Sequence, residues 1–268
     1  MIRRLTEHVA RPLIGVVHLP PLPGSPREGP GMEAILKGAR RDALALAGGG
    51  ARGVIVENLG DAPFSATKVE PHVVGALAVV AKMLVDEFGS VLTVGINALR
   101  NDALAAIGAA AVSGASFVRV NVHTGVMVTD QGVIEGNARA SLLYRNQLGL
   151  PIGIAADVLV KHASPLGEAD PVQLAQDTFH RGGADVLIYT GSGTGKAVDA
   201  QKLAALRLAC PQIPFWIGSG MDLQNVRSLA PLCEGAIVGT ALHEGQDLQA
   251  PLDEGLVRKM ADALSAGG

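Results

Sequence analysis

The sequence predicts a single (β/α)₈ barrel of the phosphate-binding type across residues 1–268. Three observations predict it. Short apolar runs alternate with helix-like stretches eight times, with no linker or break in composition between them. Polar residues collect just after almost every run, which is where barrel enzymes assemble their sites. The last two runs pass straight into glycine turns, Pro214-Phe-Trp-Ile-Gly-Ser-Gly220 and Gly235-Ala-Ile-Val-Gly-Thr240. Glycine lets a backbone approach an anion closely, and paired turns after the seventh and eighth strands are a recurrent phosphate cradle of such barrels. A doubly wound open sheet shares the alternation, but the count of eight and the length favour closure.

The strands are expected at residues 13–19, 53–57, 92–97, 117–122, 152–157, 186–190, 215–218 and 236–239. Their apolar character is continuous rather than alternating, as for strands covered on both faces. The helices are expected at residues 32–47, 71–88, 102–113, 135–147, 171–181, 199–208, 223–229 and 253–264. Asn101 or Asp102 caps the third of these, Asp170-Pro171 opens the fifth, and Asp222 opens the seventh. Gly48 to Gly50, Gly114-Ala115 and Gly182 to Ala184 supply stops before the next strand.

Composition narrows the function. The chain is 48% hydrophobic, 18% charged and only 3% aromatic, so its core is aliphatic and it lacks stacking platforms for single-stranded nucleic acid. A net charge of −3 without a basic block argues against nucleic-acid or membrane-surface partners. No stretch reaches membrane-spanning length without a charge or a Gly/Pro turn, so no membrane insertion is expected. Arg3 and Arg4 precede an apolar run too short for a signal peptide, and Cys210 and Cys233 are isolated, as in core thiols of a reducing compartment. A cytoplasmic protein is expected. Low charge and small-residue helices leave apolar helix faces, so a homo-oligomer is expected as well.

The residues at or just beyond the strand ends are His18; Glu57, Asn58 and Asp61; Asn97, Arg100, Asn101 and Asp102; Arg119 and Asn121; Asp157, Lys161 and His162; Thr190; Ser219; and Thr240. Closure of the barrel would bring them to one mouth. His18-Leu-Pro-Pro-Leu-Pro-Gly-Ser-Pro26, Val56-Glu-Asn-Leu-Gly-Asp-Ala-Pro-Phe64, Gly95-Ile-Asn-Ala-Leu-Arg-Asn-Asp102, Phe117-Val-Arg-Val-Asn121, Asp157-Val-Leu-Val-Lys-His162 and Gly218-Ser-Gly220 strongly resemble the BtpA/SgcQ family over essentially the whole chain. The resemblance implies a TIM barrel related to phosphate-binding barrels. One family member is named for photosystem I biogenesis and another sits among sugar-metabolism genes. Neither name supplies a reaction.

The residue types suggest roles. Glu57 and Asp157 suit general acid/base work, or serve as acceptors for loop amides or Arg100. Lys161 can neutralise a phosphate, protonate an oxyanion, form a Schiff base or form an ion pair, and His18 and His162 can move protons or ligate a metal. Arg100 suits a bidentate anion contact, whereas Asp102 reads as a helix cap. Arg119 and Asn121 share one side of their strand and, if inward, need partners, either a ligand or Glu57. Thr190-Gly-Ser-Gly-Thr-Gly195 is not a Walker motif but a glycine loop suited to closing over a ligand, and residues 20–26 form a rigid proline wall.

The expected catalytic residues are therefore Glu57, Asp157, Lys161 and His18. Asn97, Arg100, Arg119, Asn121, His162 and Thr190 are expected to bind substrate, and Gly218, Ser219, Gly220, Gly239 and Thr240 to bind phosphate. No cofactor is predicted; a divalent metal held by imidazole and carboxylate stays open. The function that fits is binding of a phosphorylated, sugar-like small metabolite with isomerase, epimerase or aldolase-like proton transfer. The alternatives are a non-catalytic assembly or stability factor of the photosystem I biogenesis kind, and a nucleoside or glycosidic-bond hydrolase.

Overall fold

Each expected strand becomes a barrel strand because inward and outward positions both find apolar cover. The computed structural model describes residues 2–5, 9–160, 162–190 and 198–266. In chain order its elements are β1 (Leu13–His18), α1 (Met32–Gly48), β2 (Gly53–Glu57), α2 (Pro71–Phe88), β3 (Thr93–Asn97), α3 (Ala103–Ser113), β4 (Phe117–Val120), β5 (Val126–Thr129), β6 (Gly132–Glu135), α4 (Ala138–Leu148), β7 (Gly153–Leu159), β8 (Ala163–Pro165), α5 (Pro171–Gln176), β9 (Val186–Tyr189), α6 (Ala200–Ala209), β10 (Phe215–Ile217), α7 (Val226–Leu229), β11 (Gly235–Val238) and α8 (Glu254–Ala266). Strands β1, β2, β3, β4, β7, β9, β10 and β11 close into a parallel barrel in that order, with β11 pairing back onto β1.

The alternation of faces divides the core in two. Outward residues such as Val54, Val56, Val118, Val120, Ile154 and Ala156 pack against the helices. Inward residues Ile14, Val16, Ile55, Phe117, Ala155, Val186, Ile188, Trp216 and Ile237 fill the barrel, and Ile2 and Leu5 close its lower end. Phe117 and Trp216 meet edge to face, with ring centres 5.9 Å apart. Gly95 is needed beneath that ring, because a Cβ there would stand 2.4 Å from Phe117 Cζ.

Three features depart from the expected outline. First, β5, β6 and β8 form an extra antiparallel sheet of order β6-β5-β8. It grows from the connections after β4 and β7, and Val122, Met127, Ile134 and Val160 give it its own apolar cluster. The expected fourth helix therefore starts late. Glu135 ends β6, and α4 begins at Ala138, where the Asn137 side chain accepts from the Ala140 amide. Second, the expected seventh helix shrinks to Val226–Leu229, because Asp222 Oδ1 takes the amides of Gln224 and Asn225 into a turn. Third, α5 ends at Gln176 and passes into a π-helical turn, Asp177–Arg181. Asp102 caps α3 as expected, accepting from the Ala105 amide.

Candidate ligand site at the barrel mouth

Strand register builds the site. His18 lies opposite Glu57 across β1 and β2, and Glu57 opposite Asn97 across β2 and β3, so three polar residues form a row at the C-terminal rim. Glu57 Oε2 accepts from Asn97 Nδ2 at 2.7 Å. On β4, Arg119 and Asn121 come after the inward Phe117 at period two, and Asp157 on β7 lies two residues beyond Ala155, the register partner of Arg119.

Arg119 and Asp157 form a two-pronged ion pair, Nε to Oδ2 at 3.1 Å and Nη2 to Oδ1 at 3.0 Å. Asn121 Nδ2 adds a third donor to Asp157 Oδ2 at 2.7 Å. The expected partner of Arg119 and Asn121 was a ligand or Glu57; the structure gives them Asp157, which the neighbouring strand β7 brings into hydrogen-bond range. Burial by itself would lower the Arg119 pKa, but Asp157 and Glu57 more than offset it and the net shift is upward. Burial dominates at Arg100 instead and lowers its pKa against the pull of Asp157 and Glu57.

On the other side of the barrel the inward positions above β10 and β11 are Gly218 and Gly239, and a cavity of about 150 Å³ opens beside them. It is lined by the 218–222 and 237–241 turns, by His18, Glu57 and Arg119, and by Leu59, Gln246 and Leu248. Both glycines are tightly placed. A Cβ on Gly239 would stand 2.6 Å from His18 Cε1, and one on Gly218 would stand 2.2 Å from Ile188 Cγ2 and 3.5 Å from Arg119 Nη2. Gly220 has a φ of 77°, which favours glycine. Ser219 Oγ is buried and has no hydrogen-bond partner among the described residues.

The expected site residues thus separate. His18, Glu57, Arg119, Gly218, Ser219, Gly220, Gly239 and Thr240 share this cavity. Asn97, Asn121 and Asp157 do not line it; Asn97 bonds Glu57, Asp157 bonds Arg119, and Asn121 bonds Asp157 in turn. Thr190 turns its hydroxyl onto the Leu159 carbonyl at 2.7 Å, where the pairing of β7 with β9 is irregular. Arg100 is buried nearby, and His162 is exposed in the turn between β7 and β8, away from the cavity. Lys161 and residues 191–195 of the glycine loop lie outside the described residues.

Sequence reasoning missed Gln246, Leu248, Met221 and Leu59 on the cavity wall, and His243, whose ring stacks on His18 with centres 6.0 Å apart. No short motif marks them; His243 only comes three residues after the Gly239-Thr240 turn. Cys210 and Cys233 are buried, and burial pushes the Cys233 thiol up to about 11. Among the described residues no group of three or more His, Cys, Asp and Glu side chains is placed to hold a metal ion. Among them, too, no helix is long and apolar enough to cross a membrane.

The chain matches the model of the BtpA family over residues 9–266. It is 44% identical over 262 residues to the photosystem I biogenesis protein BtpA of Synechocystis sp., which covers 98% of this chain and 91% of that one. Solved structures share its fold at low identity. Thiamine phosphate pyrophosphorylase from Pyrococcus furiosus gives a TM-score of 0.59 at 13% identity, covering 96% of each chain. N-(5'-phosphoribosyl)anthranilate isomerase from the same organism gives 0.56 at 12% identity, covering 96% of this chain and 99% of that one. By its family match and this identity, the chain belongs to the BtpA family.

Proposed function

We propose that this barrel binds a phosphorylated, sugar-like small metabolite and moves a proton on it. The observation that carries this is a single cavity in which two glycine turns adjoin a buried carboxylate, an imidazole and a guanidinium. The 218–220 and 239–240 turns hold the phosphate through the N–H groups of Ser219, Gly220, Gly239 and Thr240, with Ser219 Oγ as a further donor, since the Gly218 N–H already donates to the Tyr189 carbonyl at 2.9 Å. Arg119 is kept charged and fixed by Asp157, and it supplies positive charge at the edge of the turn. Glu57 acts as the base and His18 as its acid partner, which fits isomerase, epimerase or aldolase-like chemistry. Asp157 is the anchor of Arg119 rather than the base, since both its oxygens are taken by Arg119 and Asn121 and it does not line the cavity. The names of two fold neighbours, a thiamine phosphate enzyme and a phosphoribosyl enzyme, support a phosphorylated ligand by analogy of fold.

Calorimetric titration with inorganic phosphate tests the binding. The wild type should bind it, and Gly220→Val, which forces a branched side chain onto a positive φ, should abolish binding. Unchanged affinity in that variant would remove the phosphate site. A second reading, a non-catalytic assembly factor, is favoured by the name of the Synechocystis relative. It requires that no sugar phosphate in a broad screen be turned over.

A further inference from the structure

Gln246 is one of two non-glycine residues with positive φ among the described residues, at 59°. The other, His162, lies in the β7–β8 turn, whereas Gln246 lines the cavity. A glutamine gains nothing from this conformation, and Gly245 just before it, at a φ of 61°, shows the residue type that takes it without strain. Strain held at a cavity wall calls for a compensating role of the side chain.

The surrounding loop is built to hold it there. The chain leaves and returns through one point: His243 bridges to Leu252, and the Asp253 amide donates to the Leu242 carbonyl at 2.9 Å. The buried His243 donates its Nδ1 proton to the Ala250 carbonyl at 2.6 Å, since a carbonyl can only accept, and its ring stacks on His18. The Gln246 amide in turn donates to the His243 carbonyl at 3.0 Å. The loop is therefore latched to the imidazole that stacks on His18, the ring that borders the glycine turns. A carboxamide carries one acceptor and two donors without charge, which matches hydroxyl groups better than a phosphate or carboxylate.

We propose that Gln246 is a specificity-determining residue, its carboxamide hydrogen-bonding a hydroxyl on the organic part of the ligand. The assignment rests on the 218–220 and 239–240 turns being the phosphate site. The test titrates the full chain with inorganic phosphate, glycerol 3-phosphate, ribose 5-phosphate and glucose 6-phosphate. The wild type should bind at least one of the sugar or polyol phosphates more tightly than inorganic phosphate. Gln246→Gly should keep phosphate affinity within about twofold and lose roughly tenfold of the extra affinity, the scale of one neutral hydrogen bond. Its Tm should stay level or rise, because glycine relieves the backbone. Gln246→Ala should lose the same preference with a lower Tm than the glycine variant. An intact preference in Gln246→Gly, loss of its phosphate binding, or a wild type that prefers none of the three would overturn the assignment. A wild type that binds no phosphate at all would overturn the phosphate site itself, and the assignment with it.

Discussion

Arg119 and Asp157 meet in parallel inside the barrel, both buried, with two nitrogens of one facing two oxygens of the other at 3.1 and 3.0 Å. Breaking such a pair by removing one member leaves an uncompensated charge in a medium that solvates it poorly. Asp157→Asn should therefore lower the unfolding free energy by about 3–5 kcal/mol. Urea denaturation measures this directly. A loss under about 1 kcal/mol would mean that water reaches Arg119 and that the pair is not structural.

Glu57→Gln separates chemistry from binding. Gln keeps an oxygen to accept from Asn97 Nδ2, so the hydrogen bond at the β2–β3 rim survives. It also removes one negative charge from the cavity wall, so inorganic phosphate affinity should hold or rise. Turnover of any substrate found should fall about a hundredfold or more, the usual scale for a positioned acid or base. A variant that turns substrate over at the wild-type rate would exclude Glu57 as the base.

Much of this architecture was legible in the chain because barrel strands announce themselves by continuous apolar runs with polar residues at their ends. The register His18–Glu57–Asn97 comes from three such runs ending on polar residues at the same height. The β5–β6 hairpin was harder to see. Its turn residues, Asp130 and Gln131, are not a strong hairpin pair, and the Gly132 φ of 102° that completes the turn has no sequence signature of its own. The role of Asp157 was hidden for another reason. Period two places Arg119 inward but does not say whether its partner is Glu57 or Asp157, and that depends on the stagger of β4 against β7. Gln246 belongs to a loop whose shape comes from tertiary latches at His243, which no local pattern encodes.

His123 gives the fold a pH dependence on its acid side. It is buried behind β4, shares a hydrogen bond of 2.8 Å between Nε2 and the Gly182 carbonyl, and has no partner for Nδ1 among the described residues. Burial pushes its pKa below the ordinary 6.5, with the Gly182 hydrogen bond acting the other way. Between the depressed folded value and 6.5, the unfolded chain carries a proton that the folded chain does not. Stability is therefore full above that window and falls as pH drops through it, by up to about 1.4 kcal/mol per pH unit for one group. In His123→Asn this part of the slope should vanish. Urea midpoints between pH 7.5 and pH 5 check it; an unchanged slope would show that other groups carry the dependence.

Two of the cavity glycines, Gly218 and Gly239, should respond differently to one added methyl group. At Gly218 the new Cβ would stand 2.2 Å from Ile188 Cγ2 and 2.8 Å from Thr190 Cγ2, in the packed interior where neither neighbour can withdraw. Gly218→Ala should therefore cost about 1–3 kcal/mol of stability through overpacking. At Gly239 the intruded atoms belong to the His18 ring, 2.6 Å away at Cε1 and 3.2 Å at Nε2, and this half-buried ring borders the cavity. A side chain beside open space can rotate, so Gly239→Ala should lose little stability and displace His18 instead. Its His18 imidazole resonances should shift, and any turnover should fall further than phosphate affinity does, because the proposed function gives the proton transfer to the ring and the anion to the amides. If Gly239→Ala instead unfolds the chain while leaving His18 resonances in place in the folded fraction, the ring is locked by His243, and its stacking at 6.0 Å is a rigid part of the fold.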